Sequence, residues 1–429
     1  MRILGTIVLV LLSRLVAGQS AKQFSTWNEL QNWVIQNAVV MQVNAQQLQL
    51  ANLTETAAWL NTLNPRVPTT ASIINNTDLP VNFIPGQVFG GPEGSFREVT
   101  FGQQYISSFT AAPQLDLINV SKWQDVRVAE ANTEVVKLET VMSRKRLLEE
   151  VNVIYCSIVQ LQSQRDLVEK FATLSDSLAI IVGQKYQSGL VRLQDWNDAK
   201  INVLQQRGLL RNLEHQLVLQ YSALSSIVGS PVSIDDAGLT LESIPSGQSQ
   251  TALNLALQRV RYSKMMYRSA QLEQLPVLSF QSSLAYQNNS NLQWMDPASR
   301  WIFSSFVGAK LTWDLPTNAV KATNVRIKKI NYQLAELVLK DETRKQVVIN
   351  DQLRLDYENA VQELNEKQEV ERLEKDSYRQ IENQYNQEIV GLDKLIIGQN
   401  KWLSAQMNLL SAKVNTKKYL QKQMIHYAN

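Results

Sequence analysis

Two kinds of apolar periodicity alternate along this chain. Leu147, Val151, Ile154, Ile158, Leu161, Val168 and Ala172 follow alternating four- and three-residue steps, with Arg165 filling one slot. Val203, Leu210, Leu217 and Leu224 recur every seven residues, with Leu213 and Ile227 on the adjacent row. A seven-residue repeat keeps one apolar seam on a neighbouring helix and winds the pair into a left-handed supercoil. The pattern predicts one helix over 121–187, roughly 100 Å long at about 1.5 Å per residue. A second, shorter helix follows it. Their remaining faces are dense in Gln, Asn, Lys and Glu, so one side of this surface meets water.

The other periodicity is two. Val99, Phe101, Tyr105 and Phe109 alternate with Thr100, Gly102, Gln104, Ile106, Ser108 and Thr110. Leu278, Phe280, Leu284 and Tyr286 alternate with Ser279, Gln281, Ser283 and Ala285, and Phe303, Val307, Leu311 and Trp313 with Ser304, Gly308, Lys310 and Thr312. Such segments of about ten residues suit a transmembrane barrel strand, and equally a half-buried sheet in a soluble domain. Trp294, Trp301 and Trp313 near the strand ends favour the barrel, whose interfaces carry aromatic girdles. The apolar positions just named are then the lipid-facing candidates. A further strand falls within 67–84, flanked by Pro68 and Pro80, while 85–98 and 288–300 read as polar surface loops.

The order of elements repeats. A segment from Lys185 to Trp196, containing Tyr186, Gly189, Leu190, Leu193 and Asp195, follows one long helix. A similar segment from Gln384 to Leu395, containing Tyr385, Glu388, Gly391 and Asp393, follows another. Strand-like sequence ending near a proline precedes each long helix: Pro113 to Leu117 in one copy, Trp313 to Pro316 in the other. Each half therefore reads helix, strand, strand, long helix, helix. The halves span 19–229 and 248–429, joined by a linker at 230–247 within a stretch rich in Gly, Ser, Pro and Asp.

Composition narrows the function. Arg2, the apolar run Ile3–Leu12 and the small residues Val16-Ala17-Gly18 form a signal peptide over 1–18. No later stretch reaches the ~18 apolar residues of a helical span. A net charge of +3 gives no reason to expect nucleic acid. The single cysteine, Cys156, and the two histidines, His215 and His426, build no disulfide framework, thiolate site or catalytic arrangement. Glu149-Glu150 reads most simply as a solvated helix face. No enzyme and no cofactor is expected.

Four strands cannot close a membrane barrel, the smallest of which have about eight. An open edge in lipid leaves amides unpaired at several kcal/mol each. Copies of the chain must therefore pool strands, and the count alone allows two, three or four. Here the sequence resembles the TolC family of outer-membrane efflux proteins over residues 25–427. The residues that carry the likeness are the passages Asp116 to Trp123 and Val307 to Pro316, and the turns Tyr186-x-x-Gly189-Leu190 to Asp195 and Tyr385 to Asp393.

The resemblance implies an α+β membrane protein: a homotrimer with a twelve-stranded β-barrel in the outer membrane, continued by an α-helical coiled-coil barrel in the periplasm. It implies a passive duct of an efflux or type I secretion system, with a periplasmic adaptor and an inner-membrane transporter as partners. It places Tyr186, Gly189, Leu190, Leu193 and Asp195, with Tyr385, Glu388, Gly391 and Asp393, at the adaptor-contacting tip. Glu388 stands where the first turn has Gly189, and Lys394 where it has Asp195, so an acidic ring at the tip is in doubt. The other reading of the same residues is an exported coiled-coil scaffold with a soluble sheet.

Overall fold

A computed structural model describes residues 22–235, 250–314 and 319–427. The signal peptide, most of the 230–247 linker, and Leu315 and Pro316 lie outside the described residues. Of the described residues 69% are helical, and they include a curled antiparallel sheet. In order the elements are β1 (Lys22–Phe24), α1 (Trp27–Asn37), α2 (Val39–Leu60), β2 (Thr69–Asn75), β3 (Val81–Pro85), a 3-10 turn (Gly86–Phe89), β4 (Phe96–Thr100), β5 (Tyr105–Ala111) and β6 (Gln114–Ile118). There follow α3 (Val120–Gln187), α4 (Leu193–Val228), β7 (Val232–Ile234), α5 (Thr251–Leu272), β8 (Val277–Ser290), β9 (Trp301–Thr312), α6 (Ala319–Asn386) and α7 (Leu392–Tyr427). Both long helices have 68 residues and both that follow them have 36.

The chain divides into two compact units, each drawing on both halves of the sequence. The helical unit holds residues up to Gln49, Val136–Leu257 and Val338 onward. Its main core gathers Leu30, Val34, Val151, Tyr155, Ile158 and Leu224, all without measurable exposure. The heptad positions therefore do what the spacing predicts: Leu147, Leu161, Val168, Ala172, Val203 and Leu213 are buried as well. The Trp27 and Tyr155 rings meet 5.2 Å apart. β1 pairs in parallel with β7, so the segment read as a linker opens with a strand.

Polar side chains interrupt this apolar interior. Between the cluster around Phe171 and the cluster around Val182, Ser175 Oγ receives Asn202 Nδ2 at 3.0 Å and Gln399 Nε2 at 3.3 Å. Asn400 Nδ2 donates to Asn202 Oδ1 at 3.2 Å, and Gln206 Nε2 to Asn400 Oδ1 at 2.8 Å. Buried amides are tolerated because they find one another. Elsewhere the buried Lys145 donates from Nζ to Thr251 Oγ1 and to the His426 carbonyl, both at 2.9 Å, satisfying a carbonyl at the end of α7. Burial, then the charges of Lys145 and Lys422, hold the His426 imidazole below its usual pKa.

The second unit, residues 50–135 and 258–337, carries the sheet. Its order is β2-β5-β8-β6, with β9 on the other side of β8. β5 runs along β8 from Ser290 to Leu284, and β6 continues along the same edge from Gln281. The Ser282 N–H donates to the Pro113 carbonyl at 2.9 Å, which bridges the gap. β5 and β6 thus make one strand interrupted at Pro113, leaving four strands in all. Asn119 starts the next helix: its Oδ1 accepts from the Lys122 N–H at 3.4 Å and the Ser121 hydroxyl at 2.9 Å.

Three expectations need correction here. The stretch from Val99 to Ala111 is not one strand. Gly102, at φ +118, breaks it, and Val99 belongs to β4, which pairs only with β3. Val99 and Phe101 consequently leave the main sheet. Residues 85–98 are not simply a polar loop, because their two ends complete the β3–β4 hairpin, with Phe83, Phe89 and Phe96 exposed on this excursion. The segment 288–300 is shorter as a loop than its sequence suggests, since β8 runs on to Ser290.

Candidate functional site

Register decides which residues share a face of the sheet, because side chains alternate and paired residues point the same way. Phe109 pairs with Tyr286, and Tyr286 with Phe303. Leu278 pairs with Leu311, Phe280 with Ala309 and Ser282 with Val307. Tyr105, Phe109, Leu278, Phe280, Leu284, Tyr286, Phe303, Val307 and Leu311 therefore occupy one face. Trp313 follows β9 directly and donates from its indole to the Gln274 carbonyl at 3.1 Å. Ile73, opposite Ser107, and Leu115, opposite Phe280, join the same face. The sequence reading missed both: flanking prolines blurred the first strand, and Pro113 hid the continuation of the second.

The opposite face is polar. It carries Ser72, Ser108, Thr110, Gln281, Ser283, Gln287, Ser304 and Lys310, with Ile74, Ile106, Ile302 and Phe306 among them. Ser72 and Ser108 hydroxyls meet at 2.7 Å. On the apolar face Val307 and Leu311 are 74% and 67% exposed in the single chain. A soluble sheet buries such a face against a second layer.

The two turns belong to the helical unit. In the first, the Leu190 N–H reaches the Lys185 carbonyl and the Gly189 N–H the Tyr186 carbonyl, each at 2.9 Å. In the second, Ile389 reaches Gln384 at 2.9 Å and Glu388 reaches Tyr385 at 3.0 Å. This paired pattern closes a helix through a left-handed residue. Gly189 has φ +73, and Glu388 takes the same conformation at φ +59, a strained one for a side-chain-bearing residue. The glutamate that departs from the first turn in sequence does not depart from it in geometry.

The structure brings these turns together. Lys185 Nζ sits 5.9 Å from the centre of the Tyr385 ring. Burial, then the Asp195 charge, pushes the Tyr385 hydroxyl above its usual pKa. Val182, Ala199, Tyr378, Leu392 and Leu395 form the core beneath. Asp195 is a helix-start residue: its Oδ2 accepts from the Arg192 N–H at 3.0 Å and lies 3.8 Å from Arg192 Nε. Gly391 precedes α7, and Asp393 is in that helix's first turn. Leu190, Leu193 and Ile389 stand out into solvent.

Beside the first turn runs a groove of about 750 Å³ lined by Ile180, Gly183, Gln187, Trp196, Lys200 and Leu204 among others. Trp196 in this lining is stacked on Tyr186 at 5.1 Å with Lys200 Nζ 3.7 Å above the ring. A Cβ on Gly183 would come within 3.1 Å of the Trp196 indole nitrogen, so glycine lets the ring lie flat. The sequence reading ends the turn segment at Trp196 without assigning it a contact, and Gly183 escaped it because a glycine within a long helix does not break the helical pattern. No described helix is long and apolar enough to cross a membrane.

A duplicated-length pair of helical hairpins with a four-stranded sheet is the fold of TolC-like outer-membrane channels. Among solved structures, the CmeC outer membrane channel of Campylobacter jejuni matches with a TM-score of 0.75 and 14% identity, over 94% of this chain and 85% of that one. The outer membrane protein VceC of Vibrio cholerae matches at 0.74 and 16%, over 94% and 95%. The outer-membrane channel OprN matches at 0.75 and 15%, over 94% and 89%. No protein-family model matches the sequence, and no curated protein matches it.

Proposed function

We propose that this chain is the outer-membrane channel of an efflux system, a passive duct that assembles as a homotrimer. The observation that carries the reading is the two-faced sheet with free edges. Among the described residues β2 pairs only with β5 and β9 only with β8, so each outer edge offers unpaired backbone groups. In lipid such edges cost several kcal/mol per group, and joining β9 of one copy to β2 of the next removes them. Three copies give twelve strands with the apolar face outward and the polar face lining water.

Depth supports the same reading. β9 has 12 residues, which span about 40 Å along the strand and about 30 Å across a bilayer at the usual tilt. Trp301 and Trp313 bracket that span. The helices supply a second argument. Val320, Ile327, Ile330, Leu334 and Leu337 make an exposed row on α6 at three-, four- and seven-residue spacings, which one chain leaves uncovered.

The tip with its two turns is the docking end for a periplasmic adaptor, which links the duct to an inner-membrane transporter; type I secretion through the same duct is compatible. Leu190, Leu193 and Ile389 are the apolar contacts it offers. Asp195 accepts from the Arg192 N–H and so has a structural role at the start of α4 as well as a place at this entrance. Purified in detergent, the protein should run as heat-resistant trimers and open channels in a planar bilayer. A monomer that stays soluble without detergent and conducts nothing would overturn the proposal in favour of an exported scaffold.

A further inference from the structure

The loop between β8 and β9 does not extend freely away from the sheet. Ser107, Asn288 and Ser290 all lie on the apolar face by register, and all three are buried. What buries them is the loop. Asn288 Nδ2 donates to the carbonyls of Asp296 at 3.1 Å and Ser299 at 2.9 Å. Ser290 donates to Asp296 Oδ2 at 2.6 Å, and the Met295 N–H donates to Ser107 Oγ at 3.0 Å. Asp296 also accepts from the Ala298 N–H at 2.9 Å and the Ser299 hydroxyl at 3.3 Å.

The loop is therefore a hydrogen-bonded knot folded back onto the end of the apolar face. Immediately next to it stands an aromatic row. Trp294 meets Tyr105 edge-on at 5.1 Å, and Trp301 stacks on Tyr286 at 5.0 Å and on Phe109 at 5.9 Å. Beyond that row the face runs through Leu284, Val307 and Phe280 to Leu311, with only small residues, Ser282, Ser305 and Ala309, between them. Along one face the order is thus polar knot, aromatic belt, largely apolar band. That order matches headgroup, interface and acyl chain in a lipid leaflet. Arg300, exposed where the knot joins β9, adds a cation suited to lipid phosphates.

We infer that residues 291–300 form a rigid ledge that rests on the phosphate-bearing headgroups of the leaflet at the β8–β9 end, fixing how deep the barrel sits. The inference rests on the proposed lipid-facing role of the apolar face. Asp296 is its keystone, since it ties β8, through Asn288 and Ser290, to its own loop.

The test uses full-length protein reconstituted in phosphatidylcholine vesicles, with an environment-sensitive fluorophore on a new cysteine at Ala298→Cys or, separately, at Val307→Cys. The buried Cys156 is left in place, with unsubstituted protein as the labelling control. The Ala298→Cys label should be quenched at least two-fold more by headgroup-nitroxide lipid than by acyl-chain nitroxide or aqueous iodide. Adding Asp296→Ala should erase that preference while leaving the Val307→Cys label quenched from the acyl chains. If iodide alone quenches at Ala298→Cys while Val307→Cys still reports acyl chains, the ledge is wrong and the lipid face stands. If iodide quenches both, the membrane reading itself fails.

Discussion

Placing one charge at neighbouring positions of β9 separates the two faces of the sheet. Val307 and Gly308 are adjacent in sequence, but Val307 pairs with Ser282 on the apolar side and Gly308 with Gln281 on the polar side. Val307 is six residues from Trp301 and six from Trp313, hence at mid-depth if those two mark the interfaces. An arginine facing lipid at the midplane of a barrel costs about 2–4 kcal/mol. That is roughly a thirty- to several-hundred-fold shift in the folded-to-unfolded ratio per chain, since about 1.4 kcal/mol is tenfold. A Cβ on Gly308 meets nothing within 4 Å, so Gly308→Arg projects into open space on the water-lined side and should cost under about 1 kcal/mol. The assay is refolding from urea into lipid vesicles, read by heat-modifiable gel mobility and by the urea midpoint. Val307→Arg should fold poorly and Gly308→Arg nearly normally. Equal losses, or the larger loss at Gly308, would refute the assignment of faces.

Other outcomes follow from single residues. Gly189→Ala forces a side chain into a left-handed backbone with no compensating contact and should cost about 1 kcal/mol in detergent unfolding, whereas Glu388→Gly relieves strain and should change stability by less than about 0.5 kcal/mol. The two losses coming out equal would contradict the shared turn geometry. Asp195→Ala removes the acceptor at the start of α4 and should lower stability by about 1 kcal/mol, with Asp195→Asn retaining part of it; no loss in Asp195→Ala would mean the carboxylate is free. His426 holds its proton less tightly folded than unfolded, so the unfolded state binds more protons as pH falls below about 6.5. Its share of stability is present above that pH and lost on acidification; Lys145, Lys422, Glu149 and Asn350 surround it. His426→Gln should flatten the thermal midpoint between pH 7 and pH 5, and an unchanged slope would exclude His426 as the titrating group.

Much of this fold is legible in the sequence because burial acts on periodic positions. The seven-residue row through Val203, Leu210, Leu217 and Leu224 needs no tertiary information to identify the side that packs. The same holds for Phe109, Tyr286 and Phe303, whose alternation alone puts them on one face. What stayed hidden depends on partners distant in the chain. Nothing local to Asn288, Ser290 or Asp296 says that the loop turns back on its own strands. Gly102 looked like a tolerated glycine in an alternating run, yet its positive φ ends the strand and sends Val99 and Phe101 into a separate hairpin. In the second turn, Glu388 reads as a departure because composition reports preference, while the backbone of the turn is set by the helices it joins.

The buried amides between α3, α4 and α7 bear on how any such tip can move. Apolar seams tolerate sliding, because one methyl group replaces another. The chain of Ser175, Asn202, Asn400 and Gln206 does not, since a shift by one helical turn of about 5.4 Å would carry every donor away from its acceptor. These residues act like the teeth of a ratchet wheel, locking axial register while leaving rotation about the contact less restrained. A tip that dilates would thus be expected to twist its hairpins open about this layer, keeping each helix at its own height.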